Sequence, residues 1–162
     1  MEACLAWTNC PPGSSIKVEG TLSTDRECQA CDYGLQFSTA SNVGECSDVS
    51  HCDAGERQSV SPTRTRDRQC EPCPTGTYQD MQQHDATTCK PVRNCLQGFY
   101  VSRDSTPTSN RECDVCAPGS FTVGSNVAQC QTWRDCDAGQ REANPPSTTS
   151  DRVCEDCISG ST

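Results

Sequence analysis

The sequence predicts a small, disulfide-rich fold of tandem cysteine-rich repeats, with short irregular β-hairpins and little or no helix. Two observations of composition and one of spacing predict this class. Cysteine accounts for 16 of the 162 residues, and the cysteines recur at one repeated spacing. Leu, Ile, Val and Phe together number 19, about 12% of the chain, whereas chains with less than roughly 20% tend to stay unfolded. Because ordering costs about 1.5 kcal/mol per residue, we expect covalent bonds to stabilise the fold in place of an apolar core.

The cysteines fall into four groups with identical internal spacing. In each group five residues, then seventeen, then two separate consecutive cysteines, and the connection to the next group has fourteen, fifteen or thirteen residues. The repeat is therefore about 42 residues long. We expect a partial repeat at 1–30, repeats at 31–72, 73–115 and 116–156, and the start of a further repeat at 157–162. The groups are Cys4, Cys10, Cys28, Cys31; Cys46, Cys52, Cys70, Cys73; Cys89, Cys95, Cys113, Cys116; and Cys130, Cys136, Cys154, Cys157.

Each repeat divides into two half-modules, and both place a glycine three residues after their first cysteine. A tight turn with positive φ is least costly for glycine, so we expect a turn at each such position. Prolines within the seventeen-residue loops interrupt regular pairing, which favours short hairpins over long strands. These prolines are Pro62, Pro107, Pro145 and Pro146, and the turn glycines are Gly13, Gly34, Gly55, Gly76, Gly98, Gly119, Gly139 and Gly160.

The spacing also favours one disulfide pairing. A disulfide that closes a loop of about 15 to 19 residues contributes roughly 3 kcal/mol by restricting the unfolded chain, so pairing across the long gaps is expected. A competing scheme closes the five-residue and two-residue gaps, uses every cysteine, and leaves each seventeen-residue loop untethered. The favoured pairs are Cys10–Cys28, Cys31–Cys46, Cys52–Cys70, Cys73–Cys89, Cys95–Cys113, Cys116–Cys130 and Cys136–Cys154, with Cys4 and Cys157 left without a partner in this stretch of chain.

Heavy structural use of cysteine indicates an oxidising compartment, so we expect an extracellular or cell-surface location in the secretory pathway. The stretch from Met1 to Cys10 lacks the basic start and apolar run of a signal peptide, and no window approaches the roughly 20 apolar residues of a membrane span. We therefore interpret the chain as part of a longer secreted or anchored protein, with no membrane insertion in this segment. No Asn-x-Ser/Thr sequon occurs, so any glycan would be O-linked.

The charge balance and the scarcity of reactive side chains exclude several classes of function. A net charge of −9 would repel nucleic acid and favours a protein ligand or neighbouring chains of an extracellular assembly. Zinc is an alternative for the CxxC pairs, but the second pair is five residues apart, wider than zinc ligands usually are. A redox CxxC needs a βαβ scaffold that this sequence cannot form. His51 and His84 lie in no nucleophile motif, and Asp53 and Asp137 lack the surroundings of a calcium loop. We expect no metal, no cofactor and no enzymatic activity.

Several motifs resemble the cysteine-rich domains of the tumour necrosis factor receptor superfamily. They are Cys73-Pro-Thr-Gly-Thr-Tyr78, Cys116-Ala-Pro-Gly-Ser-Phe121 and the Thr/Ser-x-Asp-Arg-x-Cys ending seen in Thr149 to Cys154. The match covers nearly the whole chain. In that family the second Cys of CxxC opens a module and the first closes the preceding one, which implies the pairing favoured above. The resemblance also implies an elongated rod of domains stacked end to end, and many members bind trimeric ligands along its sides.

The chain departs from the family's fuller domain, which has six cysteines where each complete unit here has four. The resemblance implies that Val or Trp packs where the third disulfide would lie. Ephrin-receptor-like repeats share the CxxC-Pro-x-Gly-x-Tyr opening and form a rival family, although the Asp-Arg-x-Cys endings favour the first assignment. By the family's spacing the missing cysteines fall at Trp7, Val49, Val92 and Trp133, and at Gly20, Pro62, Ser105 and Pro146.

The leading hypothesis for function is a receptor-like ectodomain that binds a protein ligand through its variable seventeen-residue loops. The alternative is a purely structural extracellular stalk or filament segment that acts as a disulfide-stapled spacer. The arginines of the Asp-Arg-x-Cys endings are expected to form an internal hydrogen bond or a surface ion pair, since each lies beside a bonded cysteine. Trp7 and Trp133 are interpreted as packing residues. In the loops from Asp53 to Gln69 and from Leu96 to Glu112, the candidate contact residues are Arg57, Arg64, Arg66, Phe99, Tyr100 and Arg103.

Overall fold

Seven antiparallel two-stranded hairpins make up the computed structural model, which describes residues 6–157. Within that range there is no helix, as the sequence predicts. Four long hairpins alternate with three short ones along the chain. The long hairpins pair β1 (Ser14–Val18) with β2 (Glu27–Ala30), β5 (Glu56–Val60) with β6 (Gln69–Pro72), β9 (Phe99–Arg103) with β10 (Glu112–Val115), and β13 (Gln140–Asn144) with β14 (Val153–Asp156). The short ones pair β3 (Gln36–Phe37) with β4 (Ser47–Asp48), β7 (Thr77–Tyr78) with β8 (Lys90–Pro91), and β11 (Ser120–Phe121) with β12 (Gln131–Thr132).

The long hairpins share one register. Each carries a single register shift, for example between Gln58 and Val60 in the second and between Glu112 and Cys113 in the third. A bulge of this kind bends the strand and increases its twist, so it limits how far regular pairing extends. The seventeen-residue loops are therefore short twisted ribbons, and their tips and opening turns lie outside the ladder.

Seven disulfides close the hairpins, and they are the same pairs that the cysteine spacing favours over the competing scheme. Their Cα–Cα distances lie between 5.5 and 5.8 Å, within the ordinary range for a disulfide. In the first three CxxC motifs the two cysteines bond to different partners, so they form neither a redox pair nor a zinc knuckle. Cys157 is exposed and has no disulfide partner among the described residues, while Cys4 lies outside them. The pairs are Cys10–Cys28, Cys31–Cys46, Cys52–Cys70, Cys73–Cys89, Cys95–Cys113, Cys116–Cys130 and Cys136–Cys154.

Among the described residues, half-cystines make up five of the seven buried apolar residues, and five polar residues are also buried: Ser14, Ser38, Gln79, His84 and Thr122. Cys10 and Cys52 are fully buried, whereas the apolar side chains with comparable burial are limited to Val49 and Phe121 in the described part of the chain. Leu22, in contrast, is wholly exposed at a hairpin tip. Disulfides therefore take the place of a continuous apolar core, as the low content of apolar residues predicts.

Two long hairpins place their tips on the opening turn of the preceding long hairpin. A Cβ added at Gly13 would lie 3.1 Å from Thr65 Cγ2, and one at Gly98 would lie 3.2 Å from both Thr148 Oγ1 and Thr149 Cγ2. Both glycines also have positive φ, as do all seven turn glycines within residues 6–157 that the spacing predicts. Glycine is required at these two positions for its backbone conformation and for the close approach.

A tryptophan packs at the first position where the fuller family domain would carry a cysteine. The ring of Trp7 lies so close to Gly20 that an added Cβ would be 2.7 Å from it. Its Nε1–H donates to the carbonyl of Thr21 at 3.1 Å, and the Nε1–H of Trp133 donates to the carbonyl of Ser147 at 3.0 Å. The indole therefore ties the loop to the preceding segment without a covalent bond.

The chain divides into two compact units. The first unit contains the residues up to Thr75 together with Gln79–Cys89, and the second contains Gly76–Tyr78 and the residues from Lys90 onward. The first two long hairpins belong to the first unit, and the third and fourth belong to the second.

Candidate protein-binding surfaces

The Asp-Arg-x-Cys ending is a clamp that closes the base of each long hairpin. Its acid or amide accepts the backbone N–H of the residue two positions before the half-module cysteine, and the same oxygen accepts the N–H of the following arginine. Because the geometry recurs in all four long hairpins, the motif positions the strands and is not itself a ligand site. The four contacts are Thr8 to Asp25 at 2.6 Å, Ser50 to Asp67 at 2.8 Å, Arg93 to Asn110 at 2.8 Å and Arg134 to Asp151 at 2.9 Å.

These hydrogen bonds favour the ionised form of two of the clamp aspartates. The side-chain and backbone hydrogen bonds from Thr8 hold the pKa of Asp25 below its ordinary 3.8. Burial acts to raise the pKa of Asp67, but the hydrogen bonds from Ser50 and from the Arg68 N–H outweigh it, so this pKa is also lowered. Both carboxylates are therefore charged acceptors at neutral pH.

The arginines of the motif turn inward, as the sequence analysis expects. Arg26 Nη1 donates to Asn42 Oδ1 at 2.8 Å, and Arg111 Nη1 donates to Asn126 Oδ1 at 2.9 Å. In the second hairpin, Arg68 Nη1 donates instead to the carbonyl of His84 at 3.2 Å. These three arginines thereby join their long hairpins to the short module that follows, whereas Arg152 forms ion pairs with Asp135 and Glu142.

Three predicted contact residues lie on the second long hairpin, in the first unit. Arg57 on β5 forms an ion pair with Glu71 on β6. Arg64 lies at the hairpin tip, where its Nε–H donates to the carbonyl of Cys31 at 2.9 Å. Arg66 is exposed, and its side chain makes no hydrogen bond or ion pair with the part of the chain that the structure describes. Of the three, Arg66 has the most freedom to contact a partner.

The other three predicted contact residues lie on β9, in the second unit. Phe99 is 41% exposed, and Arg103 forms an exposed ion pair with Glu112 at 3.4 Å. Tyr100 is half-buried and lies opposite Asp114 on β10. The register shift between Glu112 and Cys113 adds a residue to β9 and reverses its alternation. Arg103, opposite Glu112, therefore shares a face of the ribbon with Tyr100, and Phe99 lies on the other face. The structure therefore does not bring these three side chains onto one surface.

Two apolar residues that the sequence analysis missed adjoin Phe99. Val115 is its cross-strand partner in the β9–β10 register, and the carbonyl of Leu96 accepts the Phe99 N–H at 3.1 Å across the opening turn. Leu96 is 65% exposed and Val115 is 58% exposed. We call Leu96, Phe99 and Val115 the third-hairpin patch.

Apart from Pro72, the equivalent positions of the neighbouring hairpins are polar. In the second hairpin they are Asp53, Glu56 and Pro72, and the Asp53 N–H donates to Glu56 Oε2 at 3.3 Å. In the fourth they are Asp137, Gln140 and Asp156, and Gln140 Nε2 donates to Asp156 Oδ1 at 3.2 Å. The sequence did contain a signal for this patch: when the repeats are aligned on their cysteines, Leu96 and Phe99 stand where the neighbouring hairpins have polar residues.

The described residues form neither a metal site nor a membrane-spanning helix. Within residues 6–157, no group of three or more His, Cys, Asp or Glu side chains is placed to hold a metal ion. The described stretch also contains no helix with the length and apolar character needed to cross a membrane.

A family comparison assigns the repeat. The family model of the TNFR/NGFR cysteine-rich region matches residues 73–113 and 116–154, and both segments begin at the second cysteine of a CxxC pair. The chain carries the cysteine-rich repeats of the tumour necrosis factor receptor family. This family consists of extracellular, non-catalytic binding modules, so the predictions of receptor-type repeats and of a chain that is not an enzyme are confirmed.

Several solved structures are also similar to the chain. A chain of the human RANKL/OPG complex shares 26% identity at a TM-score of 0.42, over 95% of this chain and 92% of its own length. A chain of the mouse RANKL–OPG complex shares 23% identity at a TM-score of 0.40, over 74% and 85%. A structure of equine lentivirus receptor 1 shares 27% identity at a TM-score of 0.39, over 54% and 87%. No match was found among curated protein sequences.

Proposed function

We propose that this chain is part of an extracellular or cell-surface receptor that binds a protein ligand, with the third-hairpin patch as its main contact. The observation that carries the proposal is that three apolar side chains, those of Leu96, Phe99 and Val115, are exposed on the same hairpin. The family of the repeats supports a protein as the ligand, since these modules bind and do not catalyse.

Exposure of these three apolar side chains to water is unfavourable in free energy, and binding to an apolar partner surface would remove that cost. Covering a Leu, Val or Phe side chain contributes about 1.5–3 kcal/mol when burial is complete, and Phe99 is already partly covered. The neighbouring hairpins show that the fold does not require apolar residues there, because Asp53 with Glu56 and Asp137 with Gln140 occupy the same places. Folding therefore does not account for the patch, whereas an apolar partner surface does.

The test converts the patch into the residues of the fourth hairpin. Leu96→Asp with Phe99→Gln is compared with the parent chain for binding to a panel of purified trimeric ligands of the tumour necrosis factor family, measured by biolayer interferometry. Loss of two apolar anchors is expected to weaken binding at least thirtyfold, about 2 kcal/mol or more. Gln140→Glu introduces the second hairpin's residue at the equivalent site of the fourth and is the matched control, with no expected effect.

A folded double variant that binds as tightly as the parent chain would remove the patch from the proposal. A parent chain that binds no member of the panel would instead support the spacer function, in which loop substitutions have no consequence and only the number of repeats matters.

A further inference from the structure

The tip of the second long hairpin is a rigid turn. Thr63 and Arg66 exchange backbone hydrogen bonds at 2.9 and 3.3 Å, which closes the turn. The carbonyl of Arg64 accepts the N–H of Ser38 at 2.9 Å, and the Nε–H of Arg64 donates to the carbonyl of Cys31 at 2.9 Å. The tip is therefore anchored to the preceding module at two points, so little conformational entropy remains to be lost when a partner binds.

Two arginines lie on this anchored turn, and an aromatic ring of the preceding module lies beside one of them. The guanidinium carbon of Arg64 lies 5.6 Å from the centroid of the Tyr33 ring, and the Tyr33 side chain is 71% exposed. Arg66, two residues along, is exposed. We call Tyr33, Arg64 and Arg66 the second-hairpin basic surface. Tyr and Arg are the residue types that most often dominate the energy of protein interfaces.

Arg66 differs from the other exposed arginines of the described residues in having no internal partner. Arg103 and Arg141 each form an ion pair with a glutamate on the facing strand. Arg64, Arg93 and Arg134 donate instead to backbone carbonyls. The positions equivalent to Arg66 at the other three tips are Thr24, Ser109 and Ser150, so the turn itself does not need a charge there. Arg66 is therefore a cation on an acidic chain that neither the fold nor a neighbouring acid accounts for.

We propose that the second-hairpin basic surface binds an acidic segment of the partner protein, with clustered Asp or Glu carboxylates facing Arg66 and Arg64. The inference rests on the proposed function in that the partner is a protein, and it assigns this surface a chemistry distinct from that of the third-hairpin patch. Arginine suits this role because its planar fork can bind a carboxylate through two hydrogen bonds, and Arg66 has no internal acceptor to give up.

A short acidic segment fits better than a long polyanion such as a sulfated glycosaminoglycan. The net charge of −9 repels an extended anion, and the two adjacent arginines neutralise only about two charges. A segment of a few carboxylates covers the tip without lying along the acidic remainder of the chain.

The experiment follows the arginine side-chain Nε–H signals by NMR during titration with a hexaglutamate peptide and, separately, with a heparin hexasaccharide. The peptide is expected to shift the signals of Arg66 and Arg64, and the shifts should disappear in 1 M salt because exposed ion pairs are screened. Arg66→Ser, which introduces the residue of the third and fourth tips, should weaken peptide binding three- to fivefold. Arg66→Glu should abolish it.

Arg141→Ser is the control, since Arg141 is equally exposed but already paired with Glu155, and it should leave peptide binding unchanged. Peptide shifts spread evenly over all arginines, an absence of shifts, or tighter binding of the heparin fragment would each overturn the proposal. The Leu96→Asp, Phe99→Gln variant should bind the peptide normally. A failure here is therefore distinct from a failure of the third-hairpin patch.

Discussion

Asp67 shows how a single side chain organises a hairpin in this protein. Its carboxylate accepts the Ser50 N–H at 2.8 Å and the Ser50 hydroxyl at 2.6 Å, and it also accepts the N–H of Arg68. In the third hairpin Asn110 accepts the corresponding N–H groups through its amide oxygen. The charge is therefore not needed for the geometry, but it makes the clamp of the second hairpin depend on pH.

The clamp predicts a loss of stability in acid. Because the folded pKa of Asp67 lies below 3.8, the unfolded chain binds more protons near that pH, and stability falls as pH decreases through the folded pKa. The contribution is complete at neutral pH. We expect the guanidinium chloride midpoint of the second hairpin to fall between pH 5 and pH 2, followed through the near-ultraviolet signal or amide exchange.

Exchanging the two clamp residues supplies the control. Asp67→Asn should flatten the pH profile of the second hairpin, and Asn110→Asp should introduce an acid-dependent step into the third. If both variants keep the parent profile, the hydrogen bonds at Asp67 do not couple protonation to folding.

At the scale of the hairpin, the contact between a tip and the preceding turn explains how the two long hairpins within each unit hold together. In the second unit, the Thr122 N–H donates to the carbonyl of Thr148 at 3.0 Å, beside the approach of Thr148 and Thr149 to Gly98. The turn at Gly139 has the same positive φ but no atom within 4 Å of an added Cβ. A substitution at Gly139 therefore tests backbone strain alone, whereas one at Gly98 tests backbone strain together with packing against the tip.

Alanine at these two glycines should have unequal effects. Gly139→Ala should cost about 1–2 kcal/mol, the penalty of the left-handed conformation alone. Gly98→Ala should cost about 1–3 kcal/mol more, because its Cβ would press on Thr148 and Thr149. The measurement is hydrogen exchange of the Thr122 amide, which should speed up in Gly98→Ala only. Equal exchange in both variants would mean that the tip contact adds nothing to the turn.

These contacts also show what could be predicted from the sequence. The disulfide pairs and the turns follow from spacing, because each is closed within one short segment. Phe99 was chosen as a contact residue, but its neighbour Val115 reaches it only through the shifted register of β9 and β10. The anchoring of Arg64 depends on a carbonyl 33 residues earlier, which no local pattern encodes. Contacts set by the strand register and by packing between modules were therefore the ones that the sequence analysis missed.

At the scale of the whole molecule, stability is distributed among short covalent loops. The sequence separations of the seven disulfides lie between 14 and 18 residues. Loops of this length contribute about 3 kcal/mol each in the chain-entropy description. No helix or continuous apolar core links them within residues 6–157, so each hairpin depends chiefly on its own bond and on its immediate neighbours.

Removing one disulfide should therefore unfold one region and leave the other intact. In Cys10→Ala with Cys28→Ala, the amides of β1 and β2 should lose protection from hydrogen exchange, while those of β9 and β10 keep theirs. The reciprocal variant, Cys95→Ala with Cys113→Ala, should show the opposite pattern. Full reduction should abolish protection throughout, because half-cystines supply five of the seven buried apolar residues in the described part of the chain. A uniform loss of protection in either double variant would show that the two units fold as one cooperative body, and the account of local covalent stabilisation would be wrong.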